Sequence, residues 1–282
     1  MTTIPEITLN DGQTIPQLGF GTYQVPPQDT SRVVTAALEA GYRHIDTAQM
    51  YDNEAGVGEA VRDSGLDRSD VFITSKLCNA YHRPDDGRRE FERTLEALQS
   101  DYVDLFLIHR PLPILYDGDY VTTWRLLEEF QRDGRARSIA VSNLTAEHLD
   151  RLAAETETVP AENQIEAHPS LLNDEIRAYG QDHGIVTQAW SPLAAGACVS
   201  DAAVVEVATR LSRTPSQVVL RWHIQRGDVV FPKTLSPERM RENLHLFDFE
   251  LSVEEMSALT ALDKGEPGRT GPHPDTFDFV PG

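Results

Sequence analysis

Eight short, almost wholly apolar runs recur along the chain, each followed by a polar turn and an amphipathic stretch at helical spacing. They are residues 18–22 (LGFGT), 43–48 (RHIDTA), 71–76 (VFITSK), 103–109 (VDLFLIH), 137–143 (RSIAVSN), 162–167 (ENQIEA), 185–190 (IVTQAW) and 229–234 (VVFPKT). The helical stretches fall near 30–40, 53–64, 86–99, 120–133, 145–154 and 172–183, then 201–211 with 215–226, and last 237–245 with 252–262. A strand with no polar face has to be covered on both sides, as in a parallel sheet under helices. Eight β/α units predict a closed (β/α)8 TIM barrel more naturally than an open doubly wound sheet. One such barrel takes roughly 250 residues, so 282 residues suit a single barrel domain over 1–282. The start reads differently. Asp11-Gly12 between two extended runs predicts a β-hairpin with a primed turn, capping the bottom of the barrel. From about residue 263 the tail is rich in Pro and Gly and reads as irregular. No G-x-G-x-x-G opens a helix after the first run, and no P-loop pattern occurs.

Acidic side chains number 45 against 25 basic ones, a net charge of −20, which argues against sequence-independent binding to nucleic acid or acidic membranes. No apolar run approaches the ~20 residues that cross a bilayer. The N-terminal MTTIPEITLNDGQ has no basic start and no long apolar stretch, so it does not read as a signal peptide, and cytoplasmic residence is the expectation. Cys78 and Cys198 are too few for a disulfide framework or a structural zinc site; free buried thiols and no metal are expected. Only Lys76, Lys233 and Lys264 are lysines among the 25 basic residues. A lysine kept in so arginine-rich a chain is a place to look for chemistry.

Active sites of such barrels lie at the C-terminal ends of the strands. Those ends carry Asp46, Lys76, His109, Ser142 with Asn143, Gln164, Trp190 and Lys233, and Tyr51 follows Asp46 by five residues. Each has a plain structural alternative: Asp46 as a turn cap, Tyr51 as a packed aromatic, Lys76 as a solvated strand end, His109 as a hydrogen-bonded structural histidine. Together they suggest an electrophilic pocket for a carbonyl group. A phenol is a poor acid near neutrality, with an ordinary pKa of about 10; a neighbouring ammonium would lower it, and Asp46 would hold Lys76 charged. His109 would hydrogen-bond the oxygen that Tyr51 protonates, general-acid help worth roughly 10²–10⁴ in rate. No side chain in the set is an obvious nucleophile, so a hydride donor would complete it.

The residues carrying this chemistry lie in segments that resemble the aldo-keto reductase family: GYRHIDTAQMYDNEAGVGEAV (41–61), VFITSKLCN (71–79), VDLFLIHRP (103–111), RSIAVSNL (137–144), NQIEAHP (163–169) and VVFPKTLSPERMRENL (229–244). The likeness runs from the hairpin to about residue 262 and is nearest to the prokaryotic branch with the diketogluconate reductases. It implies a barrel that reduces aldehydes and ketones with NADPH, on small-molecule carbonyl substrates, as a monomer. It implies a catalytic tetrad of Asp46, Tyr51, Lys76 and His109. Ser142, Asn143 and Gln164 would hydrogen-bond the nicotinamide carboxamide, Trp190 would stack on its ring, and Ser191 and Leu193 would lie along the pyrophosphate. Lys233, Thr234 and Arg239 would hold the 2′-phosphate, with Glu242 and Asn243 near the adenine. A cationic clamp on so acidic a chain suits a phosphate; surface charge is the alternative.

Tyr23, Cys78 and Arg110 fall at substrate-lining positions by the same resemblance. Cys78 and Arg110 stand where relatives usually carry Trp, which implies a wider, less apolar pocket. Arg110 would attract a carboxylate-bearing substrate, or else point outward and pair with Asp117 or Asp119. Ala140 replaces a commoner Gly, and Ser236 replaces an Arg found in some close relatives, which implies a weaker preference for NADPH over NADH. Two other functions stay open at this stage. One is a Schiff-base lyase using Lys76, which a paired Asp46 opposes. The other is a protein that binds NADPH without turnover.

Overall fold

The computed structural model describes residues 4–281; the first three residues of the N-terminal segment and residue 282 lie outside them. Strands β1 (Glu6–Thr8) and β2 (Thr14–Pro16) form the hairpin. The β/α units follow in order: β3 (Phe20–Gly21), α1 (Pro27–Ala40), β4 (His44–Asp46), α2 (Glu54–Asp63), β5 (Phe72–Leu77), α3 (Pro84–Leu98), β6 (Val103–Ile108), α4 (Tyr120–Arg132), β7 (Ala136–Ser142) and α5 (Ala146–Glu155). Then come β8 (Glu162–Glu166), α6 (Asp174–His183), β9 (Val186–Trp190), α7 (Ala202–Leu211), α8 (Pro215–Arg226), β10 (Val229–Val230), α9 (Pro237–Leu244) and α10 (Val253–Thr260). All eight apolar runs become strands, as the alternation of runs and amphipathic stretches predicts.

Strands β3 to β10 pair in sequence order, every neighbour parallel. The two ends of the sheet meet. Leu18 bridges Val230, the Gly19 N–H donates to the Val230 carbonyl at 2.7 Å, and the Val230 N–H donates to the Gln17 carbonyl at 3.0 Å. The barrel is therefore closed. Closure here depends on glycine. A Cβ on Gly19 would lie 2.5 Å from Nδ1 of His44, and one on Gly21 would lie 2.7 Å from the Phe231 carbonyl oxygen. The glycines of the first run serve this close approach. Strands β3 and β10 are shorter than their apolar runs; beyond Val230 the seam continues through the Gly21 N–H, which donates to the Pro232 carbonyl at 3.5 Å.

The hairpin sits where expected, but its turn differs. The Gly12 N–H donates to the Leu9 carbonyl, and the Leu9 N–H to the Gln13 carbonyl. Of the three loop residues only Gly12 has positive φ, at 88°. This is a three-residue loop with a glycine bulge, not the two-residue primed turn that Asp11-Gly12 suggests. Ile15 is fully buried and clusters with Leu9, Leu105, Leu107, Ala140 and Val229, so the hairpin supplies the apolar floor of the barrel. Among the described residues no helix is long and apolar enough to cross a membrane.

Replacing Ile15 with Ala should leave a cavity in that floor and cost roughly 2–5 kcal/mol of unfolding free energy in urea titration. A loss below about 1 kcal/mol, a surface-like value, would show that the hairpin is not part of the core.

Candidate active site

The inward faces of β4, β5 and β8 place Asp46, Lys76 and Gln164 together inside the barrel. Nζ of Lys76 donates to Oδ1 of Asp46 at 2.7 Å and to the Thr47 carbonyl at 2.8 Å. The other oxygen of Asp46 accepts the Gln164 amide N–H at 2.8 Å, and that amide also donates to Oε1 of Gln188. Asp46 and Lys76 are both essentially inaccessible to water. Burial pushes the Asp46 carboxyl up and the Lys76 ammonium down, and the opposite charge of each works against that shift in the other. Lys76 is thus neither a solvated strand end nor a free amine.

Tyr51 ends a single 3-10 turn, Gln49–Tyr51. Its hydroxyl lies 3.5 Å from Nζ of Lys76. Its ring meets His109 edge-on with centroids 5.7 Å apart, and Tyr23 packs against it at 5.2 Å. Asn53 anchors this turn. Its amide donates to the carbonyls of Thr22 and Val25, and its oxygen accepts the Thr47 hydroxyl at 2.8 Å. On the other side, Gln49 donates to the Glu90 carbonyl and Thr94 and accepts the Cys78 N–H. The phenol is therefore held from several elements. Nothing in the sequence pattern marked Asn53 or Gln49.

The phenol's acidity departs from expectation. Burial, then the charge of Asp46 and the Tyr23 phenol, push Tyr51 well above the ordinary tyrosine range; the Arg110 guanidinium opposes them. Burial also holds His109 well below its ordinary value, helped by the positive charges of Lys76 and Arg110. Its Nδ1 is buried without a partner. At neutral pH the site holds a protonated phenol and a neutral imidazole.

Beyond β7 and β9 the expected amides are drawn together. The Ser142 hydroxyl donates to the Gln164 carbonyl, and the Asn143 amide donates to Ser142 and to the His109 carbonyl. The Trp190 indole N–H donates to the Asn143 oxygen at 2.9 Å. Asn143 and Ser191 both adopt positive φ, 63° and 50°, as the chain bends off the strand ends. Leu193 is half-buried and packs against two apolar clusters. After β10, Lys233 and Arg239 are exposed beside the start of α9, and neither joins an ion pair among the described residues. Thr234 accepts the Ser236 N–H, Glu242 accepts the Thr214 hydroxyl, and Asn243 is buried.

At the proposed substrate positions, Tyr23 is exposed. Cys78 is buried, and its sulfur accepts the Ala80 N–H at the start of the 3-10 turn that follows β5. Cys198 is likewise a buried free thiol. Arg110 pairs with neither Asp117 nor Asp119; Asp119 instead caps α4. The guanidinium donates to the Pro272 carbonyl at 3.3 Å and lies 4.5 Å over the Phe277 ring. The tail from about residue 263, which includes a 3-10 turn at Glu266–Gly268, is firmly seated. Glu166, at the end of β8, accepts the N–H groups of Thr270 and Gly271 and the Thr270 hydroxyl. Burial alone would raise this carboxyl; hydrogen bonds from His168, Thr270 and Gly271 outweigh it and hold it at about 2. Gly271 leaves room for Trp190, since a Cβ there would lie 2.4 Å from the indole. The tail thus brings Phe277 to a mouth that sequence alone implied would be less aromatic.

A sequence model of the Aldo/keto reductase family matches residues 17–264. An aldo-keto reductase of Mycolicibacterium smegmatis is 46% identical over 276 residues, 98% of this chain and 99% of the relative. A Yersinia pestis protein named methylglyoxal reductase DkgA is 45% identical over 280 residues, 98% of this chain and 99% of its own. Among solved structures, a mutant of Gox0644 in complex with NADPH has a TM-score of 0.94 at 40% identity, covering 99% of this chain and all of that one. The chain belongs to the aldo/keto reductase family, and the fold is that family's (β/α)8 barrel. It is an oxidoreductase, the class that the resemblance implied.

The acceptor geometry of Glu166 gives a direct test of how the tail is held. Glu166→Gln should speed hydrogen exchange at the Thr270 and Gly271 amides by roughly tenfold or more, since bonds to a charged acceptor are worth about 1.5–3 kcal/mol. Because the carboxyl is held below its ordinary value, the wild-type latch should persist down through pH 4.5 and weaken only as pH falls toward about 2. Unchanged exchange in the variant would mean that something else seats the tail.

Proposed function

We propose that this protein reduces aldehydes or ketones to alcohols with NADPH, and that Tyr51 protonates the carbonyl oxygen. The observation that carries the reading is the buried chain from Asp46 to Nζ of Lys76 at 2.7 Å and on to the Tyr51 hydroxyl at 3.5 Å, beside His109. Small dicarbonyls and keto-sugar acids are the substrates we favour. The name methylglyoxal reductase on a 45% identical relative supports the dicarbonyl, and the NADPH held by a 40% identical neighbour supports the cofactor.

The donor set of this chain fits the cofactor. Lys233 and Arg239 are cations without carboxylate partners among the described residues, in a molecule of net charge −20, beside the N-terminus of α9. A 2′-phosphate there would gain charge-assisted hydrogen bonds and a favourable helix end. Thr234 would join that contact, with Glu242 and Asn243 toward the adenine and Ser191 and Leu193 along the pyrophosphate. Ser142, Asn143 and Gln164 would hold the carboxamide, and Trp190, fixed by its bond to Asn143, would face the ring. NADPH, when bound, supplies the hydride.

The chain's own residues do the rest. Tyr51 enters as a phenol, because its surroundings disfavour phenolate, and gives its proton to the oxygen as negative charge develops there. Lys76 then stabilises the phenolate left behind, and Asp46 keeps the ammonium charged and aimed. Neutral His109 donates an N–H to the same oxygen and orients it. Lys76 as a Schiff-base nucleophile is disfavoured, since its amine is already committed to Asp46 and the Thr47 carbonyl.

Tyr51→Phe removes the proton donor and leaves the cofactor contacts alone. We expect unchanged NADPH affinity by fluorescence titration, with kcat on a small dicarbonyl down by roughly 10²–10⁴. Turnover within tenfold of wild type would refute the proton-donor role.

A further inference from the structure

We propose that Arg110 is a recognition site for the carboxylate of an anionic carbonyl substrate, so that the enzyme favours oxo-acids or aldehyde acids over neutral carbonyl compounds. The inference rests on the reductase reading and narrows its substrate class.

Three observations carry it. First, Arg110 joins no ion pair among the described residues, although its surroundings offer carboxylates. Glu166 is taken by the tail amides and by Arg269 at 3.8 Å, and Arg269 in turn pairs with Glu266 at 2.7 Å. Arg110 is therefore left without a direct carboxylate partner among the described residues, with the Glu166 charge acting on it only from a distance, on a molecule whose net charge is −20. Second, the guanidinium is fixed in place. It donates to the Pro272 carbonyl at 3.3 Å, stacks 4.5 Å over Phe277, and lies 5.8 Å from the Trp190 ring, which is itself bonded to Asn143. A planar fork held between aromatics has already lost most of its rotamer freedom, so docking a carboxylate costs little further ordering. Third, it adjoins the chemistry. Arg110 follows His109 directly in the chain, and its charge acts on the Tyr51 phenol.

Burial lowers the Arg110 guanidinium to about 10, so it is still a cation at neutral pH but a partly desolvated one. Among the protein's carboxylates Glu166 offsets part of that desolvation from a distance, and a directly bonded anion would offset more. A single fork matches a monoanionic carboxylate in bidentate fashion. The carbonyl oxygen would face Tyr51 and His109 while the far end of the same molecule reached Arg110.

The test uses matched aldehydes. The 2-, 3- and 4-carboxybenzaldehydes are compared with their methyl esters, using NADPH with wild type, Arg110→Met and Arg110→Lys. We expect wild type to prefer at least one acid over its ester. Arg110→Met should raise KM for that acid by roughly tenfold or more, the scale of one charge-assisted pair, and leave the ester within about threefold. Arg110→Lys should recover part of the preference. In wild type, added salt should raise KM for the acid and not for the ester, a readout that does not depend on a variant folding. Equal losses on acid and ester would assign Arg110 to seating the tail and overturn the proposal, as would no preference in wild type. Turnover of the esters without acid preference leaves the reductase reading intact while this inference fails; no turnover of any aldehyde removes both.

Discussion

The buried ion pair between Lys76 and Asp46 is the contact around which the rest of the site is arranged. Burying two charges costs several kcal/mol each unless their geometry and remaining hydrogen bonds are well satisfied. Here they nearly are: Lys76 donates to Asp46, to the Thr47 carbonyl and toward Tyr51, while Asp46 takes its second bond from Gln164. The arrangement requires β4, β5 and β8 to face one another across a closed barrel. At the closing seam Gly21 leaves room for the Phe231 backbone, while Gly19 leaves room for His44 on the adjacent strand β4. Thus a site of three or four side chains depends on small residues at the seam and an apolar hairpin at the floor.

That pair also governs what the phenol does. The simple expectation was that an adjacent ammonium makes tyrosine more acidic. In the folded protein, Asp46 offsets the ammonium, and burial disfavours any new negative charge. The outcome is a phenol kept protonated in the resting site, which suits an acid in the reducing direction. In the proposed mechanism the ammonium acts after proton transfer, when there would be a phenolate to stabilise.

Much of this was legible in the residues. Eight apolar runs alternating with amphipathic stretches specify the barrel, because strands covered on both faces have no polar alternation to show. The ends of those runs named Asp46, Lys76, His109 and Gln164, since barrel mouths gather polar side chains at strand ends. What stayed hidden depends on distant partners. The hairpin loop turned on the backbone of one residue, Gly12. The anchoring by Asn53 and Gln49 links loops from different units. Glu166 ended a strand run like the others, but its duty is defined by a tail more than 100 residues away. The fate of Arg110 was open for the same reason: only that tail supplies Pro272 and Phe277.

The tail therefore completes a mouth that the barrel leaves unfinished, and it does so through Glu166 and Arg110 on neighbouring parts of the rim. The most direct test of the whole account is the ionisation of the phenol itself. Tyrosine labelled with 13C at the ζ carbon, with Tyr51→Phe used to assign its resonance, would be titrated by NMR in the cofactor-free protein. The account predicts that Tyr51 stays protonated past the ordinary tyrosine value of about 10. A Tyr51 resonance that titrates near neutral pH would contradict it.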